Sequence, residues 1–346
     1  MEWLSPALSF GLALALVPAA RWVALRTGAV DLPGGHKAHG RPVALLGGPA
    51  VLLTVTCALL LVRPSELSWL PAATALAVLG LLDDLWTVRA SVRLAVEVAV
   101  CVLLLWATGT RLWAPSFVPG WLATALSALW VVGVVNAANC FDCVDGSLAG
   151  VGVLAALGVA GVASLVGDGV WLPSVVLAGA LASFWLHNRP PARIFLGDAG
   201  SLPVGLVLGW LTVRSASEQP ASYTLAAILV VSVPVFDFLA VHLRRWHRMG
   251  WRGLMESVGR EHLPHRLVGW AGSPTRGLAA LYLLQLAATL GALVAASFRS
   301  PWPGLAVLFA WVAVLLWVDD RLPRPSAPTK ETTIPTPARA RPESVG

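Results

Sequence analysis

Residues 121–146 read WLATALSALWVVGVVNAANCFDCVDG. Up to Val135 the stretch is apolar and uncharged, close to the roughly 20 residues that a helix needs to cross a bilayer. Polar side chains then recur at every third position, Asn136, Asn139, Asp142 and Asp145, before Gly146. In a helical or turn conformation that spacing keeps them near one face. Carboxylate and amide oxygens arranged in this way suit a hard divalent cation and the hydroxyls of a sugar or ribose. A plain solvated loop rarely needs such regularity. The stretch therefore reads as a membrane-spanning helix that ends in a polar site at the membrane surface.

The rest of the chain agrees. Of its 346 residues, 57% are hydrophobic and 12% charged, and the mean hydropathy is +0.75. A soluble domain carries about 25% charged residues, so a soluble globular protein is excluded. Backbone groups in lipid must be hydrogen-bonded within each segment, and the expected fold class is all-α, a polytopic integral membrane helical bundle. The sequence predicts eleven spans, over residues 4–25, 46–62, 69–82, 94–109, 121–136, 147–166, 171–187, 202–214, 222–243, 277–297 and 301–318. Of the 24 Lys and Arg residues, only Arg63, Arg111, Arg214 and Arg299 fall in the presumed outer loops. That asymmetry places the N-terminus outside and the C-terminus in the cytoplasm. It also accounts for the net charge of +6 without nucleic acid as a partner. Trp69, Trp121, Trp171 and Trp302 fall near outer helix ends, where an interfacial belt is expected. With Glu2 and no basic region before its apolar run, the start of the chain does not read as a signal peptide. Residues 1–320 read as one transmembrane domain, in which the arginine-rich stretch 244–276 is a folded cytoplasmic loop. Residues 321–346, rich in Pro, Thr, Ser and Arg, read as a disordered cytoplasmic tail.

The acidic residues divide by side. Glu66, Asp168 and Glu218 fall one to each outer loop and read as solvated charges. The inner side holds clusters. Asp83 and Asp84 close an apolar helix, where two carboxylates oppose both the helix dipole and each other. They need a cation or basic neighbours. The stretch Phe195-Leu-Gly-Asp198-Ala-Gly-Ser201 has glycines on both sides of its aspartate. Its N–H groups at the next helix start could face phosphate oxygens, and Ser201 could serve as an ordinary N-cap. His262 and His265, beside Arg260 and Arg266, suggest a phosphate clamp. Glu97 and Asp237 lie inside apolar spans, where carboxylates are costly and default to functional or paired roles. Cys140 and Cys143 form a lone CxxC with no second pair nearby, which argues against zinc. Carboxylates, amides and a cationic loop on one membrane face are what phosphoryl transfer needs.

These motifs, in this order, resemble the polyprenyl-phosphate N-acetylhexosamine-1-phosphate transferase superfamily. The resemblance covers roughly residues 31–267. It runs through Asp31-x-Pro33, His36-Lys37-x-His39, Gly47-Gly48, Gly80-Leu-Leu-Asp-Asp84, the Asn136–Gly146 array, Asn188-x-x-Pro191 to Ser201, Asp237, and His262-Leu-x-His265-Arg-Leu267. It implies a multi-pass protein of the bacterial inner (plasma) membrane. The implied activity transfers a sugar-1-phosphate from a UDP-sugar donor to a polyprenyl phosphate acceptor, releases UMP and initiates a cell-envelope glycan. It also implies Mg2+, with Mn2+ as the alternative metal, membrane lipid around the bundle, and leaves room for a homodimer. By the same resemblance Asp83 is the base or a phosphate-positioning residue with Asp84 beside it, and Asp198 binds the metal together with Asp83 and Asp142. Asn139, Asp142 and Asp145 line the nucleotide pocket, with Phe195 against the uracil. His262, His265 and Arg266 hold phosphate or the sugar end. Lys37, His39, Asn136 and Asn188 complete the substrate-binding set. The His-x-x-His stretch looks more like the N-acetylglucosamine-1-phosphate branch than the phospho-N-acetylmuramoyl-pentapeptide branch. Three positions depart from the usual pattern: Cys143 for a glycine, Ser147 for a leucine and Pro264 for a histidine.

Two other classes fit less well. Asp142-x-x-Asp145-Gly146-x-x-Ala149 matches the start of a CDP-alcohol phosphotransferase signature, but Gly150 stands where that signature needs arginine. A transporter would use Glu97 and Asp237 near the bilayer midplane, whereas the motifs cluster at one surface. An inactive binding paralogue would keep the motifs without releasing UMP.

Overall fold

A computed structural model describes residues 2–32, 40–112, 118–250, 259–298 and 300–323. The described chain is all-α apart from one two-stranded ribbon. Helices α1 (Ser5–Thr27), α2 (Gly47–Val62), α3 (Leu70–Trp86), α4 (Ala90–Thr108), α5 (Gly120–Phe141) and α6 (Ser147–Ser164) come first. They are followed by α7 (Trp171–Asn188), α8 (Asp198–Ala216), α9 (Ala221–Val230), α10 (Ser232–Met249), α11 (Leu263–Ala271), α12 (Pro274–Ala296) and α13 (Pro301–Arg321). Proline in the first turn starts several of them, where its missing N–H costs no bond. Glycines with positive φ stop α1 at Gly28 and α4 at Gly109. Strands β1 (Val30–Asp31) and β2 (Val43–Ala44) pair antiparallel, and Ala44 bridges to Ile194.

The protein is a multi-pass membrane protein. Among the described residues, six helices are long and apolar enough to cross a bilayer, and a seventh passage follows if α9 and α10, bent by 70° at Val231, make one. The predicted span 222–243 is thus two helices. Length and apolarity alone do not carry the predicted number of eleven. Helix α2 has only 16 residues. Helix α8 has few residues open to its surroundings, and its glycines, serines and threonine pack against protein. Helix α8 is the centre of the bundle, with α3 and α5 against it, while α7 packs on α1 and α6.

That packing depends on glycine at two close approaches. A Cβ on Gly48 would lie 2.2 Å from the Gly200 Cα, and one on Gly80 would lie 2.2 Å from the Asp198 carbonyl. Both obstructing groups are backbone, so neither can rotate away. We expect Gly80→Ala to cost about 3 kcal/mol, the upper range for overpacking, and to push the start of α8 off α3. A thermal melt in detergent checks this, and an unchanged melting temperature would contradict it.

Several sequence expectations change at the end of the bundle away from the polar motifs. Trp69 is fully buried in the core, whereas Trp121 and Trp302 are exposed and Trp171 stacks on Trp3. Glu66 is not solvated: it is 6% exposed, lies 2.8 Å from Arg214 Nη1 and also neighbours Arg63. Arg63 in turn pairs with Glu2. At the chain's other extremity, Leu322 is buried, so ordered structure continues beyond residue 320. Residues 324–346 and the central part of the 244–276 stretch (251–258) lie outside the described residues.

Candidate active site

The polar motifs meet where the C-terminal ends of α3, α5 and α7 adjoin the N-terminal ends of α4, α6 and α8. Arg93, in the first turn of α4, is the centre of the arrangement. Its Nη1 donates to Asp83 Oδ2 at 3.1 Å and to Asp198 Oδ2 at 3.3 Å. The other oxygen of Asp83 accepts from the Val88 N–H at 2.6 Å. Asp198 Oδ1 accepts from Asn139 Nδ2 at 2.8 Å, and the same amide reaches Ser201 Oγ at 2.9 Å. Asp83, Asp198 and Asn139 therefore form one hydrogen-bonded group, as their motifs suggested. Arg93 was not singled out from the sequence, although its four-residue spacing from Glu97 on an apolar helix is a legible signal.

Asp84 does different work from Asp83. Its two oxygens accept from the N–H groups of Asp198 and Ala199 at 3.0 and 3.1 Å. A carboxylate supplied by α3 thus caps α8 and meets the positive end of its dipole. This corrects two expectations. The N–H groups of Asp198 and Ala199 are occupied by Asp84 rather than open to phosphate, and Ser201 lies inside α8 instead of capping it. Gly197, with φ +67°, is the residue before the helix, and a Cβ there would lie 2.7 Å from Asp84 Oδ2.

Asn136 is engaged within the protein. Its Nδ2 donates to Glu97 Oε2 at 2.6 Å, one helical turn below Asn139. Glu97 is fully buried, and its other oxygen lies 3.5 Å from Arg93 Nε. The intramembrane carboxylate is therefore paired.

The turn after α5 is held from several sides. Asp145 Oδ2 accepts from the Ala192 N–H at 2.8 Å, and Asn188 Oδ1 accepts from the Gly146 N–H at 2.9 Å. Asn188, 2% exposed, also donates to the Ile194 carbonyl at 3.0 Å. Both side chains position the turn and the 189–197 segment, and Asn188 is too buried to meet a ligand. Tyr282 of α12 donates to the Gly146 carbonyl at 2.8 Å, and Trp185 donates to the Tyr282 oxygen at 2.8 Å; neither aromatic was expected to contribute. Phe195 is half-buried, and its backbone is fixed by Ala44 and Gly47. Asp142, the residue after α5, is half-buried too. Burial, then the charges of Asp198, Asp145 and Asp84, push its carboxyl up to about 7. The Cys143 thiol is pushed well above its ordinary value by burial, then by Asp237 and Asp142. It thus lies within electrostatic reach of both halves of the site.

The second half is built on α10 and α11. His262 Nδ1 lies 2.7 Å from Asp237 Oδ2, and Asp237 Oδ1 accepts from the Leu263 N–H at 2.6 Å. Asp237 thereby caps α11 and orients the imidazole, whose Nε2 has no hydrogen-bond partner among the described residues. His265 is half-buried, and burial, His262 and Arg260 hold its pKa below the usual histidine value. Arg266 points elsewhere. It is 4% exposed and closes the end of α13 through Asp319, the Leu322 carbonyl at 3.0 Å and the Pro323 carbonyl at 3.2 Å. It is a structural clamp, not a phosphate ligand. Lys37 and His39 lie outside the described residues. Among the described residues, no three His, Cys, Asp or Glu side chains converge at metal-ligating spacing, the CxxC pair included.

Carboxylates and an amide on helix ends around one shared, half-buried arginine, in a multi-pass bundle, make up a site suited to a polar, phosphate-bearing substrate. The family described as "Glycosyl transferase family 4" matches residues 67–216, which contain Asp83, Asp84, Arg93, the Asn136–Asp145 array and Asp198. Similarity to individual proteins extends further. The chain is 31% identical to a decaprenyl-phosphate N-acetylglucosaminephosphotransferase of Mycolicibacterium smegmatis, over 86% of this chain and 82% of the relative. It is 29% identical to a probable undecaprenyl-phosphate N-acetylglucosaminyl 1-phosphate transferase of Bacillus subtilis, over 86% and 85%. It is also 29% identical to a phospho-N-acetylmuramoyl-pentapeptide-transferase of Moorella thermoacetica, over 74% and 88%. The chain belongs to glycosyl transferase family 4, the polyprenyl-phosphate N-acetylhexosamine-1-phosphate transferases.

Proposed function

We propose that the protein transfers N-acetylglucosamine-1-phosphate from UDP-N-acetylglucosamine to a polyprenyl phosphate, giving a polyprenyl-pyrophosphate sugar and UMP. The observation that carries this reading is the Asp83–Arg93–Asp198–Asn139 group at one end of the bundle, in a chain similar over most of its length to polyprenyl-phosphate N-acetylglucosamine-1-phosphate transferases. Eleven passages with the C-terminus in the cytoplasm would bring this end to the inner surface of the bacterial plasma membrane, where a nucleotide sugar meets a lipid headgroup.

In the reaction an oxygen of the acceptor phosphate attacks the β-phosphorus of the donor. The bond from that phosphorus to the bridging oxygen breaks, and UMP leaves with the electron pair. Asp83, held as a hydrogen-bond acceptor by Val88 and Arg93, takes a proton from the acceptor phosphate when it arrives as the monoanion. Arg93 offers positive charge to the phosphates. His265, half-buried at the start of α11, presents an imidazole nitrogen to the sugar phosphate, and the buried His262, oriented by Asp237, positions that helix start. Phe195 offers a ring edge or face to the uracil, with Asp142 beside the nucleotide.

The chemistry of the donor set suits a hard divalent cation: Asp83, Asp142 and Asp198 supply only oxygen, and their charge exceeds that of Arg93. The three do not converge at ligating spacing in this arrangement, so a cation would have to draw them together. Mg2+, or Mn2+ in its place, would be held by these three and would supply charge neutralisation for the pyrophosphate. Asp142 sets a pH dependence. Its carboxyl rises from about 3.9 in an unfolded chain to about 7 in the fold. The folded state therefore binds more protons in that interval, and its stability falls as pH climbs from about 4 through 7. A cation reverses the loss where Asp142 is ionised. We expect Mg2+ to raise the melting temperature more at pH 8 than at pH 6, and equal shifts would count against Asp142 as a ligand.

The deciding experiment incubates purified protein in detergent with polyprenyl phosphate, Mg2+ and a panel of UDP-sugars, and scores UMP. Release that requires lipid and metal supports the reading and identifies the sugar. Release only with the muramoyl-pentapeptide donor would assign the other branch. No release from folded protein, beside an active relative, would leave a binding protein.

A further inference from the structure

Glu97 has no place in the reaction just described, yet it is built into the network with care. It lies one turn beyond Arg93 on α4 and is fully buried. Its Oε2 is anchored by Asn136 at 2.6 Å. Its Oε1 faces Arg93 Nε at 3.5 Å and accepts no hydrogen bond from the described residues. A carboxylate inside a membrane-spanning segment is expensive, and joining α4 to α5 would be done as well by apolar side chains. The distinctive effect is on the arginine. A guanidinium is a rigid planar fork, so facing Nε toward Glu97 fixes the direction of Nη1, the atom that bridges Asp83 and Asp198.

The charges make the consequence definite. Arg93 brings one positive charge, and three carboxylates share it: Asp83, Asp198 and Glu97. Whatever part Glu97 holds is withheld from the other two, which stay more negative. We propose that Glu97 is a positioning residue that, by drawing on Arg93 from within the membrane, raises the affinity of the Asp83–Asp198 pair for a divalent cation. This rests on the proposed function only in taking those two aspartates as the cation site. Without the Glu97 charge, Arg93 binds the pair more closely and competes with the cation.

The test titrates Mg2+ against the melting temperature of the purified full chain in detergent, with no substrate, for wild type, Glu97→Gln and Glu97→Asp. The half-saturating Mg2+ concentration should rise about tenfold in Glu97→Gln, the lower range for losing a residue behind a metal ligand. Glu97→Asp, which keeps the charge but shortens its reach, should move in the same direction by less. With a UDP-sugar panel, the Mg2+ dependence of UMP release should shift in parallel, while KM for the sugar donor at saturating Mg2+ stays as in wild type. A purely structural Glu97 would lower the melting temperature without moving the cation midpoint. That result overturns the proposal, as does a wild type whose melting temperature ignores Mg2+. Should Glu97→Gln fail to fold, Glu97→Asp decides alone: a higher midpoint supports the proposal and an unchanged one overturns it. Absence of UMP release from wild type would sink the transferase reading and leave the cation titration standing.

Discussion

Asp198→Ala should lower UMP release by about 10³-fold while leaving the protein folded. Asp198 is the residue on which both arms of the site converge, with Asn139 on one oxygen and Arg93 on the other. Removing one preorganised group that stabilises transferring charge costs about 10²–10³-fold, and here a proposed cation ligand is lost as well. Stability should change little. A carboxylate in the first turn of a helix contributes only about 0.3–1 kcal/mol, and its removal relieves crowding with Asp83, Asp84 and Asp142. The measurement is UMP release beside a detergent melt. Activity within tenfold of wild type would remove Asp198 from the chemistry.

Arg93→Ala should strike stability and activity together. It leaves Glu97 buried with only Asn136 for company, and breaking a buried ion pair from one side costs about 3–5 kcal/mol. Activity should fall below detection, because Asp83 and Asp198 lose their shared partner. The double variant Arg93→Ala with Glu97→Leu separates the two losses. With the stranded carboxylate gone, most of the melting temperature should return, because the residues interact directly and their effects are not additive. Activity should not return. A double variant no more stable than Arg93→Ala would show that Glu97 and Arg93 are not coupled.

The apolar runs announced the all-α membrane fold, because lipid leaves helices few alternatives. The polar motifs announced the site, because helices of nearly membrane length deliver their ends to one surface. Individual roles were harder to read. Asp83 and Asp84 are neighbours in sequence, but 100° apart around a helix they face different partners, one Arg93 and the other the start of α8. Asn136 and Asn139 lie on adjacent turns of one face, so the deeper amide meets Glu97 and the shallower one Asp198. His262 and Arg266 share a motif, yet Arg266 points back to α13, a helix outside every motif. Glu66 looked solvated because its nearest partner, Arg214, stands on α8, far away in sequence, and only the fold brings it beside Glu66 and its local neighbour Arg63.

The Arg266 clamp also sets an order of assembly. Asp83, Asp198 and the Asn136–Asp145 array belong to the first two thirds of the chain, and they can come together while the ribosome is still at work. The helix that carries His265 and begins beside His262 is fastened to Asp319, Leu322 and Pro323, which are synthesised at least 53 residues after Arg266. A nascent chain therefore holds its carboxylates ready before its histidines are locked in place, and the clamp on α11 closes only when α13 has been inserted.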